Sequence, residues 1–166
     1  MSVRDARPGD EEAIAAVHVR TWQGAYARIF PAEALAGIRP DARAQFWRRI
    51  LADVPPQTHQ LVAEDETGVC GFTSGGPARD AEGLGELYAI YVLPEAWGAG
   101  HGRALMAESL ERLRRAGFDE AILWVLADNP RTRRFYEKGG WRLDGEPVVQ
   151  THLDTPVSVV SYRIAL

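Results

Sequence analysis

The chain has 166 residues, of which 46% are hydrophobic and 25% charged, with a net charge of −4; this balance suits one folded domain over residues 1–166 rather than a disordered or fibrous chain. It provides no basic field for nucleic acid. The polar start MSVRDARPGD lacks the apolar core of a signal peptide, and no apolar run approaches the ~20 residues of a membrane span, so a cytoplasmic protein without membrane contact is expected.

In chain order, the alternation in SVRDAR predicts a strand, and PGD opens a helix whose inner face is marked by Ile14, Val17 and His18, with Ala13 and Ala16 filling in. TWQGAY and FPAEALAGI break that pattern and predict a kinked second helical piece. PDARAQFWRRILAD reads as a third helix, with Phe46, Trp47, Ile50 and Leu51 at helical spacing. HQLVAEDE, GVCGFTSGG and ELYAIYVLP then read as strands, the first two joined by a turn near Gly68. The only cysteine, Cys70, excludes an internal disulfide and is expected as a small buried residue rather than a reactive thiol.

From Gly100 to Ala116 the pattern is helical. Leu105, Met106, Ser109, Leu110 and Leu113 share one face, Glu108–Arg112 and Glu111–Arg115 form i,i+4 pairs on another, and Gly117 is placed to stop the helix. AILWVL is a continuous apolar run, as in a strand buried on both faces. LYAIYV, the helix and AILWVL therefore form a β–α–β unit with parallel strands. A short helix from Pro130 to Lys138 ends at Gly139–Gly140, and WRLDGEPV and PVSVVSYRIAL close the chain as strands. The expected fold is α/β around a mixed sheet.

Between the strand ending at Pro94 and the following helix, Gly98, Gly100 and Gly102 fall at every second position. A strand, a glycine-rich bend and a helix N-terminus aim unpaired N–H groups and a partial positive charge at one point, which suits phosphate. A P-loop is excluded because no lysine follows these glycines, and Gly-x-Gly-x-x-Gly fails from Gly98, which ends on Arg103, and from Gly100, which ends on Leu105.

What remains, Ile90-Tyr91-Val92-Leu93-Pro94 followed by Trp97-Gly98-Ala99-Gly100-His101-Gly102-Arg103, resembles the pyrophosphate-binding motif of the GNAT superfamily of acetyl-CoA-dependent N-acyltransferases. That motif reads Arg/Gln-x-x-Gly-x-Gly/Ala, and Trp97 replaces its first residue. Asn129 to Trp141 resembles the family's later Asn-x-x-Ala-x-x-x-Tyr-x-x-x-Gly-Phe pattern, with Thr132 and Trp141 as mild replacements. The order of elements fits the family over essentially the whole chain.

The resemblance implies a mostly antiparallel sheet, flanked by helices, with a central pair of parallel strands, 86–93 and 121–126, splayed around the pantetheine arm of acetyl-CoA. It implies that backbone groups of Ile90, Tyr91 and Val92 hold that arm and the acetyl carbonyl. Amides of Gly98, Ala99, Gly100, His101, Gly102 and Arg103 would take the pyrophosphate, and Asn129 would touch the cofactor, cap its helix, or both. Tyr136 stands at the family's tyrosine position as general acid, with a packed core aromatic as its alternative. Glu86, a carboxylate entering a buried strand, is the candidate general base, with a water chain or a structural salt bridge as its alternative. Trp22 and Tyr26, in the expected helical break, and Trp124 would face the acceptor. Trp124 stands where ribosomal-protein N-terminal-alanine enzymes tend to carry a glutamate base.

His18 reads as a core-edge residue and His101 as loop backbone, while His59 and His152 show no ligand spacing, so no metal is expected. The RTRR run at 131–134 reads as a solvated helix face or a contact to the 3′-phosphate of CoA. The leading expectation is acetyl transfer to a primary amine of a small molecule. Transfer to a peptide or protein, or a non-catalytic CoA-binding sensor, are the alternatives, and a homodimer is left open. The acceptor's determinants are expected in the N-terminal helices and in residues 142–157.

Overall fold

Residues 2–166 are described by a computed structural model. The chain runs β1 (Ser2–Asp5), α1 (Glu11–Ala25), α2 (Ala32–Ala36), α3 (Pro40–Ala52), β2 (His59–Asp65), β3 (Gly68–Pro77) and β4 (Gly85–Val92). A 3-10 turn (Pro94–Ala96) leads to α4 (His101–Arg115), and β5 (Glu120–Leu126), α5 (Pro130–Lys138), β6 (Arg142–His152) and β7 (Thr155–Ala165) follow. The strands make one seven-stranded sheet in the order β1-β2-β3-β4-β5-β7-β6, antiparallel throughout except for β4 and β5.

Adjacent residues of β2 show the two faces of the sheet. Leu61 packs with Cys70 and Leu105 under α4, whereas Val62 packs with Phe72 and with Ile14, Val17, Trp47 and Leu51 of α1 and α3. Period-2 alternation on the strand meets the 3.6 periodicity of helices on either side. Leu105, Met106, Ser109 and Leu113 of α4 are buried as their spacing predicts, and Leu110 is half-buried. Glu108–Arg112 and Glu111–Arg115 pair at 2.8 and 2.7 Å. Cys70 is 1% exposed and its thiol is pushed up to about 11, chiefly by burial, so it behaves as a core residue.

The functional geometry comes from β4 and β5. Their ladder consists of Gly85↔Ala121 and Glu86↔Ile122 alone, after which the strands part. Where they part, β4 bulges: Ser74 of β3 faces Ala89 and Gly75 faces Leu87, leaving Tyr88 as an extra residue. A bulge bends its strand and strengthens the local twist, which carries the end of β4 away from β5. β5 stays with β7 along its whole length, from Glu120↔Ala165 to Leu126↔Val159.

Several expectations need correction. No break follows Arg20: α1 continues through Thr21–Ala25 despite Gly24, so the second helical piece shrinks to Ala32–Ala36. An interior glycine costs a helix about 1 kcal/mol, which burial of Val19 and Thr21 on the same turns offsets. Ala15, not Ala16, completes the inner face of α1. The first closing strand is longer than read and the second shifts by one residue, the two meeting in a hairpin whose turn residues Leu153 and Asp154 have φ of 48° and 56°. Two successive positive φ values make the primed turn that suits hairpin twist, but leucine is no signal for it. Among the described residues no helix is long and apolar enough to cross a membrane.

Candidate active site

The parted strands open onto a cleft of ≈ 1950 Å³ lined by α1, α3, the ends of β4 and β5, the N-terminus of α4 and α5. A single small ligand typically occupies about 300–1,000 Å³, so the cleft has room for a cofactor and an acceptor together. Ile90, Tyr91 and Val92 of the free half of β4 line it, as do Trp124 of β5, Asn129 and Tyr136.

The three glycines have distinct causes. Gly98 and Gly100 have φ of 84° and 92°, a region side-chain-bearing residues avoid, and Gly102 lets α4 approach the Phe135 ring, 3.4 Å from where its Cβ would stand. Gly100 caps α4 without a side chain, and the first bond back into the helix is Ala104 N–H to the Gly100 carbonyl at 3.0 Å. The amides of His101, Gly102 and Arg103 therefore have no helical partner and lie at the positive end of the helix. Gly98, Gly100, His101, Gly102 and Arg103 all line the cleft; Ala99, between them, does not.

Trp97 does more than fill the position of a lost polar residue. Its indole N–H donates to the Val92 carbonyl at 2.7 Å, and the Arg131 guanidinium lies 3.3 Å from its ring centre. Arg131 thus brings from α5 a positive charge to the rim of the glycine loop. The RTRR run divides: Arg131 turns to the cleft, Arg133 donates to the Tyr162 hydroxyl and the Ala127 carbonyl, and Arg134 donates to the Pro130 carbonyl. Asn129 caps α5, its Oδ1 accepting from Thr132 N–H at 3.2 Å, and also faces the cleft.

Tyr136 is 6% exposed, packed near Phe135, Trp141 and Tyr162, and burial raises the pKa of its hydroxyl well above the usual tyrosine range. Such a group stays protonated at working pH and is available as a proton donor. Glu86 is 2% exposed, and its carboxylate accepts from the Arg79 amide at 3.0 Å and from the Arg79 guanidinium. Arg79, which also lies 5.0 Å from the Tyr88 ring centre, is the member of the pair that lines the cleft.

The opposite wall is aromatic. Trp22 stacks on Phe30 at 5.8 Å and meets Tyr26 edge-on at 5.0 Å; both Trp22 and Tyr26 line the cleft from the last turn of α1 and its C-cap, not from a break. His18 sits 5.3 Å from Tyr91 and 6.0 Å from Trp22, and burial, with help from Arg43, lowers it to about 4, so the ring is neutral at pH 7. Among the basic residues of this cleft, Arg28, Arg43 and Arg79 were singled out by no motif, whereas Arg131 lay in the RTRR run. Among the described residues Asp65, Cys70 and His101 bring potential ligand atoms within 4.8 Å of one another. The Asp65 carboxylate accepts from the Thr67 amide and hydroxyl, and burial raises the thiol pKa. His59, on β2, shares a 2.6 Å hydrogen bond with Ser109 in the core.

Comparison with known proteins agrees with this geometry. The model of the acetyltransferase (GNAT) family matches residues 19–141. The uncharacterized N-acetyltransferase YuaI of Bacillus subtilis is 41% identical over 134 residues, 78% of this chain and 74% of that protein. The mycothiol acetyltransferase of Sanguibacter keddieii is 30% identical over 147 residues, 85% of this chain but 43% of its own length, so the chain spans less than half of that relative. Among solved structures, the ribosomal-protein-alanine N-acetyltransferase of Brucella melitensis superposes with a TM-score of 0.77 at 25% identity, covering 100% of both chains. A phosphinothricin acetyltransferase of Sinorhizobium meliloti, solved with acetyl-CoA, gives 0.78 at 23% identity, covering 99% of this chain and 88% of that one.

Proposed function

The chain belongs to the GNAT acetyltransferase family, and from that membership we propose that it transfers the acetyl group of acetyl-CoA to the primary amine of a small molecule. The observation that carries this reading is the uncapped α4 N-terminus behind Gly98 and Gly100, opening beside the parted strands. The residues present fit the cofactor: free amides and Arg103 and Arg131 for its phosphates, and unpaired β4 backbone beyond Glu86 for its extended arm. When bound, acetyl-CoA supplies an activated thioester.

The chain's own groups supply the rest. An alkylamine with a pKa near ~10 is mostly protonated at pH 7 and must lose a proton before attack. Glu86 is the candidate acceptor of that proton, reached through water past the Arg79 guanidinium, which is itself always protonated and relays nothing. As the N–C bond forms and the C–S bond breaks, a β4 amide stabilises negative charge on the acetyl oxygen, Tyr136 donates a proton to sulfur, and the second proton of the nitrogen leaves to water, from which Tyr136 is reprotonated. Ile90, Tyr91 and Val92 are the β4 residues placed for the arm, and Trp22, Tyr26 and Trp124 those placed for the acceptor. The name of the mycothiol acetyltransferase relative supports a small acceptor. The likeness to the ribosomal-protein-alanine enzyme favours a peptide instead, but Trp124 stands where the resemblance would place that subclass's glutamate.

Thiol release from acetyl-CoA, measured against a panel of small amines and a panel of peptides with free N-termini or lysines, tests the proposal. Turnover confined to small amines supports it; turnover with peptides alone replaces it with the peptide reading; silence in both, with acetyl-CoA bound, replaces it with a CoA sensor. Glu86→Gln keeps an oxygen for the Arg79 amide while removing the charge. The expected result is a fall in kcat/KM of about tenfold at pH 7 with a displaced acidic limb, smaller than the roughly 10²–10⁴-fold of a base in direct contact because Arg79 intervenes. An unchanged pH–rate profile would return Glu86 to a purely structural ion pair.

A further inference from the structure

Among the described residues, seven buried side-chain polar atoms lack a hydrogen-bond partner; His101 Nδ1 and Trp141 Nε1 lie on other parts of the fold, and the other five, His18 Nδ1, Thr21 Oγ1, Trp22 Nε1, Trp47 Nε1 and Gln60 Oε1, belong to cleft-lining residues of α1, α3 and β2. Thr21, Trp47 and Gln60 are only 6%, 4% and 8% exposed. Folded proteins leave few such atoms, because each loses its water without a replacement. Their concentration where the acceptor is proposed to sit points to a ligand rich in hydrogen-bonding groups.

The same wall holds a cation that has no counter-charge among the described residues. On α3 and just before it, Arg48 pairs with Glu12 at 2.7 Å and Arg39 with Asp41 at 2.5 Å. Arg43, half-buried between them in sequence, lines the cleft, and its recorded neighbour is the Phe46 ring at 5.8 Å. Its charge reaches His18 and Tyr91, opposing protonation of the one and favouring ionisation of the other, in both cases as a smaller influence than burial. Asp80 and Asp128 are the carboxylates that line this cleft, and the pairings found among the described residues leave neither on Arg43.

We infer that the acceptor is an amine that also carries a carboxylate, received by Arg43, with its apolar part against the Trp22–Trp47 wall. This rests on the acetyltransferase reading and adds the acceptor's charge to it. A simple ammonium ion would meet Arg43 as a like charge. An amino acid brings the counter-charge with it, and a guanidinium matches a carboxylate with two parallel hydrogen bonds. The indole N–H groups of Trp22 and Trp47 donate only, which suits carboxylate oxygens, while Gln60 Oε1 accepts and suits the amine N–H.

The test compares phenylalanine, phenylalaninamide and phenethylamine, and likewise leucine, leucinamide and isoamylamine, which share amine and apolar body and differ in the carboxylate. Binding to the full chain in the presence of CoA is read by tryptophan fluorescence, and turnover by thiol release from acetyl-CoA. The expected result is an affinity and kcat/KM at least about tenfold higher for an amino acid than for its amide or decarboxylated form, as a charge-assisted bond implies. Arg43→Gln should erase that preference and Arg43→Lys retain part of it, with acetyl-CoA affinity within about twofold in both, since Arg43 lies on the acceptor wall. Equal behaviour of acid and amide, binding of neither acid, or a preference that survives Arg43→Gln overturns the inference while turnover of any simple amine keeps the acetyltransferase reading. Failure of acetyl-CoA itself to bind removes both.

Discussion

Tyr136→Phe is expected to lower kcat about a hundredfold, at the low end of what a positioned acid contributes, with little change in KM for acetyl-CoA. The substitution removes one oxygen from a side chain that lines the cleft and leaves its ring among Phe135, Trp141 and Tyr162. Packing is kept, so the thermal midpoint should move by only a few degrees. Burial raises the hydroxyl pKa, which keeps the proton present at working pH while making the group a weaker acid, and this places the expected effect at the low end of the range. Steady-state kinetics with a saturating amine read the result. Full turnover in the variant would make Tyr136 a core aromatic and remove the acid from the proposed mechanism.

The second large effect is expected at the glycine loop. Gly100→Val places a branched side chain at φ of 92°, where an added Cβ would meet only the Arg103 side chain at 4.0 Å. The cost is therefore backbone strain, about 1–2 kcal/mol or more for a residue with a Cβ, rather than a clash. Relieving that strain turns the amides of His101, Gly102 and Arg103 away from their common point. Acetyl-CoA affinity should fall about 10- to 100-fold, each tenfold being about 1.4 kcal/mol. Gly83→Ala is the control: φ is 81° with open space around it, and Gly83 itself does not line the cleft, so stability falls and affinity stays. Titration with acetyl-CoA decides, and unchanged affinity in Gly100→Val would show that the loop does not grip phosphate.

How much of this was legible beforehand varied with the range of the interactions. The β–α–β unit was readable because AILWVL and the α4 face are fixed by burial on a local period, and the glycine loop because positive φ and a close approach each demand glycine. The parting of β4 and β5 was legible only by resemblance, since the bulge at Tyr88 depends on pairing with β3. The helical break after Arg20 was misread because Thr21, Trp22 and Gly24 are weak helix formers whose local preference tertiary packing overrode. Arg79 and Arg43 escaped for another reason, and Arg131 was marked only as part of the RTRR run: an arginine in a loop or on a helix carries no mark of what it will face, and each acquires its role from an element distant in sequence. Asn129 shows the two kinds of information in one residue, its cap being local and its place in the cleft tertiary.

The contact of Arg131 with Trp97 has a mechanical consequence. Trp97 is tied to the end of β4 through the Val92 carbonyl, and Arg131 opens the helix that follows β5. The fork between the two strands is thus a slot fastened at both ends, by a short ladder at Gly85–Glu86 and by a latch at its mouth. The two fastenings differ in stiffness. The ladder is buried backbone, whereas the latch is two exposed side chains, and an exposed cation–π contact is worth about 0.5–1 kcal/mol, close to thermal energy. The slot width is therefore rigid at its closed end and compliant at its mouth, the way a clothes peg grips an object of variable thickness.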